Sequence, residues 1–261
     1  MDEDWLELPS GLDGSQYLVN TYYSGSTRNY THLYDTEMLT SLWTAYPLSS
    51  SYMGDLDRSS SWYYSPSIDE AYQVNVTGGS YNSSGFDYSY SRGHMCPNAS
   101  RNGDETMQKQ TFYVTNQVPQ IQDSFNGGIW SSLEGAVQDL AKSNTSETLY
   151  VVTGVAFRKT GGSETISYIS PNKDSSQNVP IPNYFYKLVL RVKTSGDTVT
   201  DASTVAFWFE HKTYSDSYTN YTVSVDQVEE WTGFDFFVNL PDSVESAAES
   251  QNTSWSDFTS F

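Results

Sequence analysis

The spacing of apolar residues along this chain switches between a period of two and a helical period, and the switches outline its elements. Tyr30-Thr31-His32-Leu33-Tyr34 and Leu39-Thr40-Ser41-Leu42-Trp43-Thr44-Ala45-Tyr46 predict two strands with a turn near Asp35-Thr36-Glu37. Residues 49 to 87 are rich in Ser, Gly and Tyr and predict long loops, a segment type that often carries function. Thr111-Phe112-Tyr113-Val114-Thr115 predicts a strand. After Asn126 the period changes: Ile129, Leu133, Ala136, Val137 and Leu140 fall at helical spacing and predict an amphipathic helix over about 128–142. Strands are predicted over 149–157, 179–192 and 204–211 from their β-branched and aromatic content. Ser224-Val225-Asp226-Gln227 reads as a capping box opening a short helix that ends before Gly233. The pattern gives one α+β domain over residues 26–242, an extended arm over 1–25 and a frayed tail over 243–261.

Composition adds bounds. The chain has 261 residues and a formal net charge of −19, the wrong sign for a global grip on nucleic acid. No apolar run is long enough for a membrane span, and the acidic start Met1-Asp2-Glu3-Asp4 does not read as a signal peptide. The single cysteine, Cys96, excludes an intrachain disulfide and a thiolate-rich zinc site. Beyond Lys212 there is no Lys or Arg at all. A polyanion therefore needs a local basic cleft with bound cations. The Asn-x-Ser/Thr sites follow from the Asn, Ser and Thr content and are not read as glycosylated.

One stretch concentrates candidate chemistry. Ser91-Arg92-Gly93-His94-Met95-Cys96-Pro97 sets a histidine beside a guanidinium and a glycine. Arginine matches phosphate oxygens with a planar fork, and a neutral imidazole can take a proton from water. Asn126 has the composition of a helix N-cap, and its side-chain oxygen also suits a hard cation such as Mg²⁺, which keeps several waters. Glu134 lies eight residues on, about 12 Å along a regular helix, so within regular helix it should not share an inner shell with Asn126, but it could reach a metal-bound water, especially if Asn126 lies just ahead of the first turn. Asn116 follows the predicted strand, ahead of Pro119, and reads either as a strand-ending turn residue or as a group that positions His94 or the cation. His32 and His211 lack such neighbours and read as structural. Trp62, Tyr63 and Tyr64 could stack on unpaired bases, but core or loop packing is the preferred reading.

Taken together, Arg92-Gly93-His94, then Thr111 to Asn116 followed by Pro119-Gln120, then Asn126-x-Gly128-x-Trp130 and Leu133-Glu134, resemble the DNA/RNA non-specific endonuclease family. The likeness extends more loosely over Asn29 to Pro241. It implies a ββα-metal core within a larger mixed, mainly antiparallel sheet flanked by helices. It implies hydrolysis of DNA and RNA with little sequence specificity, giving 5′-phosphate and 3′-hydroxyl ends. His94 would be the general base and Asn126 the direct ligand of Mg²⁺, with Mn²⁺ or another divalent cation also admissible. Glu134 would act through a metal-bound water, Arg92 on phosphate and Asn116 in support of the histidine. Arg58, in Gly54-Asp55-Leu56-Asp57-Arg58, is the match for a further family arginine. The family motif commonly begins with Asp where this chain has Ser91. The resemblance also implies export to the periplasm, cell surface or medium; the oligomeric state is left open, a homodimer included. Two other readings are weighed against it: a nucleic-acid-binding homologue that does not cut, and an aromatic-rich carbohydrate-binding module. The first rests on Ser91, and the second gives no reason for the ordered His, Asn and Glu set.

Overall fold

Alternating aromatic and β-branched positions build a sheet whose two faces are both withdrawn from water. The computed structural model describes residues 5–261. Its strands are β1 (Tyr17–Ser24), β2 (Thr27–Asp35), β3 (Thr40–Leu48), β4 (Tyr90–His94), β5 (Gln117–Ile121), β6 (Leu149–Ala156), β7 (Tyr168–Ile169), β8 (Val179–Pro180), β9 (Tyr184–Ser195), β10 (Thr198–Glu210) and β11 (Thr222–Val223). Its α-helices are α1 (Glu105–Thr111), α2 (Ser131–Ser143), α3 (Val225–Thr232), α4 (Asp242–Glu249) and α5 (Trp255–Ser260). A seven-stranded sheet runs β1-β2-β3-β6-β9-β10-β11, antiparallel at every pairing. The fold is α+β, as the sequence predicts.

The period of two assigns each central strand to two cores. Val151 and Val155, Phe185 and Val189, and Phe207 and Phe209 pack on one face with Trp130, Leu133 and Val137 beneath α2. Val152, Tyr186, Leu188, Leu190, Ala206 and Trp208 face the other way, against Val225 and Val228 of α3 and the Phe234, Phe236 and Phe237 run. A third cluster, including Trp62, Val76, Tyr81, Phe112 and Val114, gathers the long loops.

Several elements depart from the sequence reading. Residues 1–4 lie outside the described residues, but the rest of the expected arm is ordered. Leu6 and Leu8 are buried, and β1 pairs along β2 as the sheet's edge. The expected frayed tail instead holds α4 and α5, anchored by buried Ala248 and Phe258. Thr111 closes α1 rather than opening a strand, and Val114–Asn116 is a single tight helical turn. The strand of this region is β5, one step later. The long strand expected over 179–192 divides at Ile181-Pro182-Asn183 into β8 and β9. The capping box holds: Ser224 Oγ accepts from Gln227 N, and Gly233 ends α3 with φ +76°.

Candidate active site

β4 and β5 form their own antiparallel pair, and α2 follows, so a two-strand-and-helix unit sits against the large sheet. Ser91 lies opposite Gln120, Gly93 opposite Val118 and His94 opposite Gln117. A Cβ at Gly93 would stand 2.2 Å from Gln120 Oε1, so only glycine lets the strands meet here. Beyond β5, residues 122–130 form a kinked helical segment broken at Asp123, Ser124 and Gly128, with Ser124 at φ +65°. Asn126 lies in this segment, ahead of α2. His211 fastens its start: Nε2 accepts from Ile121 N at 2.8 Å, while Nδ1 donates to the Pro182 carbonyl at 2.8 Å.

Arg58, Arg92, His94, Asn126 and Glu134 all line one cleft of about 420 Å³. The sequence separation of Asn126 and Glu134 does not keep them apart, because the kink precedes the first turn of α2. Asn116 is the exception. It is fully buried outside the cleft, where its Nδ2 donates to the carbonyls of Cys96 and Thr111 and its Oδ1 accepts from Cys96 N, each at 2.9 Å. Its own carbonyl accepts from Met95 N. Asn116 therefore fixes the backbone just after His94 and cannot hold a cation in the cleft.

The His94 ring packs between Trp62 and Phe112, with centroids at 4.8 and 5.0 Å. The same two rings carry the guanidiniums, Arg92 over Trp62 at 5.0 Å and Arg58 over Phe112 at 5.3 Å. Arg92 is further tied by Nη1 to the Val76 carbonyl at 2.8 Å. The packing reading of Trp62 holds, since it is buried. Its contacts with His94 and Arg92 behind the cleft lining are not visible in sequence. Among the described residues no hydrogen bond reaches the imidazole, and its Nε2 is buried without a partner. Burial, reinforced by Arg58 and Arg92, holds His94 down to about 3, so the ring is neutral at pH 7.

Glu134 opens α2 in its first turn, where a carboxylate suits the helix dipole. Burial pushes it up to about 7, against the pull of the Lys187 ammonium, the Trp130 indole and the Arg58 guanidinium. Lys187 is buried below the cleft, donating to Thr153 Oγ1 and lying 4.9 Å from the Trp130 ring centre. The sequence reading does not single it out.

Asn126 Nδ2 donates to Ser91 Oγ at 2.9 Å, and Ser91 Oγ in turn donates to the Gln120 carbonyl at 3.2 Å. With its nitrogen committed to the strand, the amide keeps Oδ1 for a ligand. One amide oxygen and one carboxylate, in a cleft wide enough for several waters, fit a hard divalent cation. They do not fit zinc, which favours several His or Cys ligands. Beside them stand a neutral base and two guanidiniums, a set suited to a reacting phosphate.

Comparisons with known proteins give a family and a fold. The family model for DNA/RNA non-specific endonucleases matches residues 14–243. A nuclease of Nostoc sp. is 27% identical over 255 residues, covering 94% of this chain and 84% of its own. Nuclease C1 of Cunninghamella echinulata is 32% identical over 160 residues, 61% of this chain and 60% of its own. The human mitochondrial nuclease EXOG is 28% identical over 156 residues, 58% of this chain and 40% of its own. In three dimensions the fold is similar to a chain of the EndoG/EndoGI complex, with a TM-score of 0.67, 21% identity, and coverage of 88% of this chain and 91% of that one.

Proposed function

The chain belongs to the DNA/RNA non-specific endonuclease family, and on that premise we propose how its cleft cuts a phosphodiester. The observation that carries the reading is the convergence of His94, Asn126, Glu134, Arg92 and Arg58 on one wall-to-wall cleft. Asn126 Oδ1 would hold the cation directly and Glu134 would hold it through water. Mg²⁺ is the first choice, because the set is all oxygen and leaves room for waters. When bound, the cation supplies charge to offset the phosphate oxygens and the departing 3′ oxygen.

The protein's own side chains do the rest. Trp62 and Phe112 hold the His94 ring and shed water from it. Neutral His94 takes a proton from water as that water attacks phosphorus. The new P–O bond forms as the bond from phosphorus to the 3′ oxygen breaks. That oxygen takes a proton from solvent, leaving a 3′-hydroxyl and a 5′-phosphate. Arg92 and Arg58 face the phosphate and favour the more highly charged transition state. Asn116 acts by fixing the backbone after His94. Contacts confined to phosphate carry no sequence information, which accounts for low specificity. Export belongs to the same reading, since an enzyme this unselective endangers its own cell's nucleic acid.

Digestion of plasmid DNA and of ribosomal RNA, each with Mg²⁺ or with EDTA, tests the reading. Both substrates should be cut with Mg²⁺ and spared with EDTA. Equal cutting in EDTA, or none with metal, would overturn it.

A further inference from the structure

A second group of oxygen ligands lies on the face of the large sheet opposite α2. Asp226 and Glu229 on α3 and Glu249 at the end of α4 each place a carboxylate oxygen within 4.8 Å of the others. Glu249 is only 4% exposed, and its Oε1 is buried without a hydrogen-bond partner. Glu229 gives Oε1 to the Phe236 N–H at 2.8 Å and keeps its other oxygen. Asp226 is exposed and opens the group to solvent.

Among the described residues no lysine or arginine forms an ion pair with any of the three. From Thr213 to Phe261 the chain contains neither residue type. Glu249 also occupies the C-terminal end of α4, where the helix dipole disfavours an anion. A buried carboxylate in such surroundings must bind a proton or a cation. With no cation, burial and the neighbouring Glu229, Glu245, Asp235 and Asp226 push Glu249 up to about 9.

We propose that Asp226, Glu229 and Glu249 form a second cation site, separate from the nuclease cleft, that takes Ca²⁺. Calcium accepts six to eight oxygens at roughly 2.3–2.6 Å in irregular geometry, so carboxylate oxygens spaced this way reach one ion with water completing its shell. Magnesium demands a tighter octahedron and seldom gathers three carboxylates. The ion would tie α3 to the end of α4. That end is already fastened to the sheet by Thr204 Oγ1 donating to the Ala248 carbonyl at 2.8 Å. Its effect is on stability rather than on the phosphodiester chemistry.

Thermal unfolding of the full chain as an Asn126→Ala variant, which lacks the ligand of the cleft, reads this site alone. Calcium chloride at about a hundredfold over the dissociation constant should raise the unfolding midpoint by roughly 5 °C. The shift should vanish in Asn126→Ala/Asp226→Asn, whose second change is at an exposed position. It should be mostly lost in Asn126→Ala/Glu249→Gln. Asp226→Asn alone should cut plasmid at the wild-type rate. No calcium shift in Asn126→Ala, or an undiminished shift after Asp226→Asn, would overturn the site. An equal shift with MgCl₂ would overturn its assignment to calcium.

Discussion

Ser91 Oγ holds Asn126 Nδ2 at 2.9 Å across the gap between β4 and the kinked segment before α2. The serine that stands where the family motif commonly has aspartate thus orients the proposed metal ligand, not the histidine three residues on. A neutral hydroxyl can do this because it also donates to the Gln120 carbonyl and is held in place. Removing an outer partner of a metal ligand commonly weakens metal affinity by about 10–100-fold. We predict that Ser91→Ala raises the Mg²⁺ concentration for half-maximal cleavage by at least about tenfold, with little change in rate at saturating metal. Ser91→Asp should keep the wild-type requirement or lower it, because a carboxylate accepts the amide N–H more strongly. A metal titration of plasmid nicking decides this, and an unchanged requirement in Ser91→Ala would count against it.

Gly93 is the second position where backbone geometry and chemistry meet. Its hydrogen faces Gln120, and a methyl there would overlap the Gln120 side chain at 2.2 Å from Oε1. Gly93→Ala should destabilise the chain by about 1–3 kcal/mol and shift His94 against Trp62. Urea unfolding and single-turnover cleavage should both report a loss. An alanine variant as stable and as active as wild type would show that the strand accommodates the methyl.

All three histidines are held neutral by burial, His32 and His94 down to about 3 and His211 down to about 4. Their unfolded values lie near 6.5. The unfolded chain therefore binds more protons than the folded one between these limits, so this contribution to stability is present above pH 6.5 and is lost as pH falls toward 4. His211 is the useful probe, because protonation of Nε2 would break its bond from Ile121 N. The destabilisation caused by His211→Gln should be largest near pH 7 and shrink steadily by pH 4. Chemical denaturation at several pH values checks this, and a constant difference would refute the linkage.

Substrate binding carries the mark of the acidity. The chain bears a net charge of −19, and only Arg58 and Arg92 are cationic among the residues lining the cleft. Each phosphate contact contributes roughly −0.9 to the slope of log affinity against log salt on duplex DNA. His94→Ala, used to bind without cutting, should give a slope near −2. A slope implying six or more contacts would mean that a larger basic surface takes part.

What the sequence reveals depends on how each element gets its stability. β2, β3, β6, β9 and β10 lie in the sheet with both faces covered, so their dense apolar residues announce them. β1 is an edge strand with exposed Val19 and Tyr23, and its sequence resembles a linker. α1 has one buried apolar residue, Met107, and no stripe to reveal it. Its Asp104 cap, donated to by Met107 N, was the available signal. β5 contains Pro119, which normally argues against a strand. The tail is polar except at the few residues that dock it. In the cleft, Arg58, Arg92, His94, Asn126 and Glu134 are legible because reactive types recur in an ordered spacing. The Ser91 to Asn126 bond, the packing of Trp62 and Phe112 on His94 and buried Lys187 are not legible, because each depends on contacts between segments distant in sequence.

The central claim is that His94 removes the proton from the attacking water. Single-turnover cleavage of plasmid DNA by His94→Ala at saturating Mg²⁺, with folding confirmed by circular dichroism, tests it most directly. Loss of a general base should slow the chemical step by about 10²–10⁴-fold while DNA binding is retained. A folded variant that cuts within about threefold of wild type, well inside the loss expected of a general base, would contradict the account.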